Sequence, residues 1–363
     1  MEKLIVFNAL QTSLSGGIGR YSYELVKELY LQYPSHVKIV IRNEDKVEFE
    51  FVDSKDLIVV KGITNSKERN FYEQFKLPKL IAKQYPHAIL HYPDTMAPIF
   101  AKNEVAITVH DLAFKSLEDV FTWKTVIWKN FITNLSIKKA SKIIAITEFT
   151  KTEIAKYYPK YMNKVAVIYN GFNDFSQEAI DENNISPSIK DIKKDYIITV
   201  STISPRKNID GLIKAFNQIK NQVPHQLVIA GGNGWLYQSV HDLVYELNLD
   251  ERVIFTGKIN DDELKYLYKN ATLSAYVSFY EGFGLPPLEA MSYSTPCVVS
   301  NTSSLPEVVG DYAKKVDPTN IDEISQQLLE SLTSNQQSLN YKEWLTNFSW
   351  KKCAKETYAI LKK

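Results

Sequence analysis

Two glutamates eight residues apart frame the stretch with the most chemistry in this chain: Glu281-Gly282-Phe283-Gly284-Leu285-Pro286-Pro287-Leu288-Glu289. The apolar run Thr272–Phe279 before it predicts a buried strand, and Leu288–Tyr293 after the prolines predicts a helix. A glycine-rich turn between strand and helix offers backbone N–H groups and the positive end of a helix dipole to an anion. The carboxylates serve a different purpose, because they accept hydrogen bonds from hydroxyl groups. The combination suits a ligand that is part anion and part polyol, such as a nucleotide sugar.

Three further clusters fit such a ligand. Ser204-Pro205-Arg206-Lys207-Asn208 follows the apolar run Tyr196–Val200, and two cations at a strand end can clamp a diphosphate. Gly16-Gly17-Ile18-Gly19-Arg20-Tyr21 follows the first strand and opens the first helix, where backbone can approach a phosphate. Its spacing departs from the dinucleotide fingerprint, which argues against a dehydrogenase. His110-Asp111 ends another strand, and His110 fits equally a site facing a ligand and a capping role. No Asp-any-Asp spacing occurs, so no metal or other cofactor is expected, and Arg206, Lys207 and helix N-termini would carry the diphosphate charge.

These residues need a scaffold of strands that deliver loops to one edge. Strands are expected at Leu4–Asn8, Val37–Ile41, Leu57–Val60, Ala88–His91, Val105–His110, Lys142–Thr147 and Val165–Tyr169. Helices are expected at Ile18–Gln32, Glu68–Lys83, Thr122–Ala140 and Thr150–Tyr157. After a polar stretch, strands recur at Tyr196–Val200, Gln226–Ala230, Val253–Thr256, Thr272–Val277 and Pro296–Val299. Helices alternate with them at Asn208–Asn221, Tyr237–Leu247, Asp261–Lys269, Leu288–Tyr293 and Ile321–Leu332, and Trp350–Leu361 closes the chain. The fold class is α/β, with two doubly wound, Rossmann-like domains facing across a cleft. The expected boundaries are 1–172, a linker at 173–195, 196–347, and a final helix at 348–363.

The bulk composition agrees. A chain of 363 residues with 44% hydrophobic residues supports two cores. A formal net charge of +1 argues against a nucleic-acid binder. The two cysteines, Cys297 and Cys353, have no neighbours at metal spacing, and no disulfide is expected. Neither a signal peptide nor a membrane-spanning run is present, so a cytoplasmic location is expected. The aromatic, basic segment Phe121–Ile132 fits a membrane-interface helix or, the simpler reading, a domain helix with a wide buried face.

Together these motifs resemble the retaining, GT-B-fold glycosyltransferases of family 4. The two-glutamate segment carries the resemblance, with Pro205–Asn208, Asn170-Gly171, Gly16–Tyr21, Val109–Asp111 and Phe348-Ser349-Trp350 as supporting landmarks. The resemblance implies a crossing of the last helix back to the first domain, which would bind acceptor while the second binds nucleotide sugar. It implies Glu281 on the donor sugar, Glu289 on the ribose and Lys207 with Arg206 on the diphosphate. Gly16 and Gly17 would meet the diphosphate through backbone, His110 would lie near the reacting centre, and Ile259 would meet the base. Asn208, Gly282, Phe283, Gly284 and Leu285 complete the implied substrate contacts. Many relatives carry an arginine where this chain has Ser201-Thr202, so Arg206 takes over that charge.

The Gly-Ile-Gly-Arg-Tyr start further resembles members that use GDP-mannose in bacterial surface polysaccharide synthesis. The implied reaction moves a hexose, best guessed as mannose, to a saccharide or lipid-linked saccharide. Peripheral attachment at the inner face of the cell membrane would accompany a lipid-linked acceptor. Two alternatives use the same frame: a sugar-nucleotide epimerase and a non-catalytic nucleotide-sugar-binding subunit.

Overall fold

The computed structural model describes residues 3–11, 17–117, 121–193, 195–334 and 340–363. Gly16 lies outside the described residues. The chain divides into two compact units, one of Met1–Gly171 with Phe348–Lys363 and one of Phe172–Asn347.

The first unit runs β1 (Ile5–Asn8), α1 (Gly17–Gln32), β2 (Val37–Arg42), β3 (Leu57–Val60), α2 (Ser66–Phe71), α3 (Leu77–Gln84), β4 (Ile89–Tyr92), β5 (Glu104–Val109), α4 (Ala113–Ser116), α5 (Trp123–Lys139), β6 (Lys142–Ala145), α6 (Glu148–Tyr157) and β7 (Val165–Val167). Among the described residues its seven strands are all parallel, in the order β3-β2-β1-β4-β5-β6-β7. Its central strands are almost wholly buried on both faces, so each reads as a mostly apolar run, with buried polar exceptions such as His91 in β4 and Thr108 in β5.

The second unit runs α7 (Pro187–Lys190), β8 (Tyr196–Val200), α8 (Ile209–Ile219), β9 (Gln226–Ala230), α9 (Gln238–Glu246), β10 (Val253–Gly257), α10 (Asp261–Asn270), β11 (Leu273–Tyr276), α11 (Leu285–Ser292), β12 (Cys297–Ser300), α12 (Leu305–Val309), β13 (Lys314–Val316), α13 (Ile321–Thr333) and α14 (Tyr341–Leu345). Among the described residues its six strands, all parallel, lie in the order β10-β9-β8-β11-β12-β13. Residues 173–193 belong to this unit and bury Phe175, Ile185, Ile189 and Ile192. The last helix, α15 (Trp350–Leu361), packs on α1 within the first unit. Tyr358 stacks on Tyr33 at 3.7 Å and hydrogen-bonds the His36 ring. A side chain at Gly171 would collide with Trp350, whose backbone nitrogen lies 2.3 Å from the position of a Cβ.

Both sheets reverse strand order near the middle, between β1 and β4 and between β8 and β11. Loops after neighbouring strands part there and leave room for a ligand. The doubly wound α/β class is therefore as expected, and four local expectations change. The helix expected at Glu68–Lys83 is broken by a π turn at Tyr72–Lys76. Pro78, in the first turn of α3, has no N–H for the carbonyl four residues back and would crowd it. The helix expected to start at Leu288 starts at Leu285, because prolines are tolerated in a first turn that needs no donors. Strand β13 was not expected; it is three residues long, two of them lysine, at the sheet edge. Finally, α5 lacks the wide buried face: Ile132, Thr133, Ser136 and Ile137 are buried, whereas Trp123 is 68% and Trp128 55% exposed. Among the described residues no helix is long and apolar enough to cross a membrane. Cys297 and Cys353 are buried free thiols, each pushed up to about 12 by burial.

Candidate functional site

Strands β8 and β11 are hydrogen-bonded neighbours at the reversal of the second sheet. Their following loops therefore meet, although they are more than seventy residues apart in sequence. Pro205–Lys207 forms a single tight turn after β8, and Asn208 ends it with φ +54°, a conformation asparagine tolerates. The Asn208 amide is committed to the protein, donating to Val277 O at 3.0 Å and Pro318 O at 2.7 Å. Phe279 N donates to Arg206 O at 3.0 Å and joins the two loops directly.

This arrangement brings Arg206, Lys207 and Glu281 together. Arg206 Nη1 donates to Tyr280 O at 2.7 Å and to Glu281 Oε2 at 3.1 Å. Lys207 Nζ donates to Glu281 Oε1 at 2.5 Å and to the Tyr276 hydroxyl at 2.7 Å. Glu281 is buried. Burial pushes its carboxyl up, but Lys207 and Arg206 outweigh burial and hold it below its ordinary value. Two cations are thus gathered at the loop edge, a placement suited to an anion.

Glu281 begins the turn into α11. Gly282, Phe283 and Gly284 are buried and Leu285 is half-buried. Gly284 has φ +107°, and a Cβ there would lie 2.5 Å from Leu305 Cδ2, so only glycine fits. Ser303 Oγ accepts from Glu281 N at 3.0 Å. Ser304 Oγ donates to the carbonyls of Glu281 at 2.9 Å and Phe283 at 2.8 Å. These serines follow β12, the neighbour of β11, and escaped sequence reasoning. Their signal was the polar run Ser300-Asn301-Thr302-Ser303-Ser304 at a strand end. Glu289, on α11, is buried and accepts from the Tyr268 hydroxyl at 3.0 Å. Ile259 lies half-buried between β10 and Asn260, the N-cap of α10.

The other expected residues lie in the first unit. Gly17 is exposed at the start of α1. His110 follows β5; its Nε2 lies 2.8 Å from Pro93 O, and a carbonyl can only accept, so Nε2 carries the proton. Tyr21 from α1 packs edge-on against the His110 ring at 4.7 Å, and its hydroxyl lies 3.1 Å from Thr108 Oγ1. Trp350 of α15 supports Tyr21 from behind, with ring centres 6.0 Å apart. Close by, Thr108 also meets the buried His91, whose ring burial pushes down to about 3.

Sequence reasoning did not find Glu73. It sits in the π turn, buried, and accepts from Asn8 Nδ2 at 2.8 Å, with Arg69 Nε at 3.8 Å. Burial pushes its carboxyl up to about 7, despite Asn8 and Arg69. Its only sequence signal was a charged residue in a helix beside Pro78.

Two family models match this chain. One, described as Glycosyltransferase Family 4, covers residues 15–174, and the other, Glycosyl transferases group 1, covers residues 181–344. The chain belongs to the family 4, group 1 glycosyltransferases. Among relatives of this glycosyltransferase is the O-antigen chain mannosyltransferase B of Escherichia coli, 29% identical over 377 residues and 94% of each chain. The O-antigen chain mannosyltransferase RfbU of Salmonella typhimurium is 34% identical over 58% of this chain and 56% of its own. A crystal structure of a glycosyltransferase from Rickettsia africae superposes with a TM-score of 0.71, at 20% identity, covering 99% of this chain and 98% of that one. The fold is thus GT-B, two Rossmann-like units of parallel sheet. The substrates of such an enzyme are a glycosyl donor and an acceptor.

In glycosyl transfer, negative charge grows on the leaving group as its bond to the sugar loosens. Cations already held in place stabilise that charge without reorganising. Arg206 and Lys207 are cations held in place in this way, by Glu281, Tyr276 and the Tyr280 carbonyl.

Proposed function

We propose that this glycosyltransferase moves mannose from GDP-mannose, with retention at the anomeric carbon, to a saccharide or lipid-linked saccharide of a surface polysaccharide. One observation carries the reading: two cations are held beside a buried carboxylate at the reversal of the second sheet. Mannose as the sugar draws support from the names of the two O-antigen relatives. Lys207 and Arg206 receive the diphosphate, Glu281 the sugar hydroxyls and Glu289 the ribose. The backbone at Gly282–Leu285 lies along the sugar and phosphates, Ile259 meets the base, and Asn208 holds the cationic turn. From the first unit, Gly16 and Gly17 are assigned the diphosphate and His110 the reacting sugar. Proton removal from the acceptor falls to the departing phosphate. No metal is needed in this scheme, so turnover should survive a chelator. The protein works in the cytoplasm, at the inner face of the membrane when its acceptor is lipid-linked.

The test is a thermal-shift panel of nucleoside diphosphates and their sugars, followed by turnover. GDP and GDP-mannose should raise the melting temperature most, since a ligand held well above its dissociation constant adds a few kcal/mol. Nuclear magnetic resonance of the product should show the donor's anomeric configuration. Stabilisation by uridine or thymidine sugars alone would remove the GDP-mannose assignment. Isomerised donor released without acceptor would make the enzyme an epimerase.

A further inference from the structure

Seven large apolar side chains of the first unit are exposed in one layer: Phe71, Phe75 and Phe100, and on α5 Trp123, Ile127, Trp128 and Phe131. The β3-to-β4 and β5-to-β6 connections run the same way along the strand order, so right-handed crossovers put α3 and α5 on the same sheet face. Leu77 and Ile81 of α3 and Ile137 of α5 accordingly share one core cluster. The loop bearing Phe100 is clamped between these elements. Gln74 Nε2 donates to Ala97 O at 2.9 Å, Ala97 N donates to Ser136 Oγ at 2.9 Å, and Lys139 Nζ donates to Ala101 O at 2.6 Å. Phe75 lies 5.2 Å from Phe71 and 6.2 Å from Phe100, and Trp128 lies 6.4 Å from Phe131.

Charge in this layer is predominantly positive, Glu68 being the one carboxylate on α2 and exposed there. Residues 121–147 contain five lysines and no carboxylate, and residues 74–93 contain three lysines and no carboxylate, in a chain whose net charge is only +1. Lys76, Lys79, Lys83, Lys124 and Lys129 are exposed among the aromatic side chains. Lys124 lies over the Trp123 ring at 5.5 Å and Lys76 over Phe71 at 5.9 Å. Exposed patches of this kind mark interaction surfaces. A second copy meeting this face through a two-fold axis would set lysines against lysines. An anionic bilayer complements it: aromatic rings settle at headgroup level, and lysines meet the negative surface.

We infer that this layer is a docking surface for an anionic lipid bilayer, with the exposed side of α5 lying among the headgroups. The inference deepens the lipid-linked-acceptor reading and rests on it for purpose, though not for geometry. The experiment is flotation of the full chain with phosphatidylcholine vesicles and with vesicles containing phosphatidylglycerol, at low and high salt, alongside tryptophan emission. The chain should float with the phosphatidylglycerol vesicles at low salt, with blue-shifted emission, and release as salt rises. The double variant Trp123→Ser/Trp128→Ser should bind those vesicles about tenfold more weakly or worse. Lys124→Glu/Lys129→Glu should lose the preference for anionic lipid. Both variants should keep the parent's melting temperature and its transfer to a soluble saccharide. No flotation at low salt, or a tryptophan variant that floats like the parent, overturns the inference. So does a dimer in sedimentation that the tryptophan variant abolishes, which would assign the face to a second copy. A chain that transfers mannose but never floats defeats only the docking surface. A chain that floats but transfers mannose to no acceptor defeats only the proposed function.

Discussion

In the loop after β11 in the second unit, the buried Glu281 is met by Lys207 at 2.5 Å and Arg206 at 3.1 Å. In the first unit Glu73, equally buried, has the Asn8 amide and an arginine nitrogen at 3.8 Å. Burial pushes both carboxyls up, yet one is held below its ordinary value and the other rises to about 7. The difference lies in the number and distance of cations, because charge attraction alone can reverse the effect of burial. A charged cluster kept ready suits binding of an anion whose charge grows during reaction. A carboxyl poised near neutrality instead makes the first unit sensitive to pH.

Removing one cation should break the contrast most severely. Lys207→Ala should lower turnover at least about a hundredfold, as expected when one transition-state donor worth about 2.7–4 kcal/mol is lost. Near-normal single-turnover rates would withdraw Lys207 from the chemistry. The same change leaves Glu281 with Arg206 alone and should move its carboxyl upward toward the behaviour of Glu73.

The carboxyls differ next in how they couple stability to pH. The Glu73 carboxyl titrates near 4.5 unfolded and about 7 folded, so the folded chain holds its proton more tightly. The stability this contributes is fully present below about 4.5 and is lost as pH rises through about 7. Relative to the parent, Glu73→Gln should therefore gain up to about 3 kcal/mol between these limits, measured by urea denaturation across pH. Glu281 has the opposite sign: its contribution is present above the ordinary carboxylate value and lost as pH falls through its lowered folded value. Glu281→Gln should accordingly flatten the acid limb. Parallel pH profiles for the two variants would show that the carboxyls do not differ in this way.

Two glycines sharpen the comparison further. Gly284→Ala puts a side chain at positive φ and against Leu305, and should cost about 1–3 kcal/mol of stability. At Gly17 a Cβ meets nothing within 4 Å, so Gly17→Ala should change stability by less than about 0.5 kcal/mol. Any loss of nucleotide affinity at Gly17, read by calorimetry, then reports on ligand contact alone. Equal stability losses at both positions would erase the distinction.

The smallest effect concerns Tyr21. Tyr21→Phe keeps the ring against His110 and removes only the hydroxyl partner of Thr108, a change of about 0.5–1.5 kcal/mol in stability with kcat little altered. Tyr21→Leu removes the ring and should lower kcat in the parent but much less in a His110→Ala background. Additive losses would mean that Tyr21 serves the fold and does not position His110.

Much of this protein follows from local sequence. Parallel strands buried on both faces are near-continuous apolar runs, so β1, β4, β8 and β9 could be read without a structure. Arg206, Lys207 and Glu281 could be singled out by residue type and by their place after such runs. Their meeting could not, because it depends on β8 lying beside β11, a pairing between strands over seventy residues apart that no local pattern encodes. The same holds for Ser303 and Ser304, which touch the Glu281–Phe283 turn only because β12 pairs with β11. Periodicity also says nothing about which apolar helix face meets a core and which stays in water, and only packing decided that Trp123 and Trp128 face outward. Glu73 is the extreme case: its burial and its pKa arise from a π turn and from neighbours on β1 and α2, so they exist only once those elements are assembled.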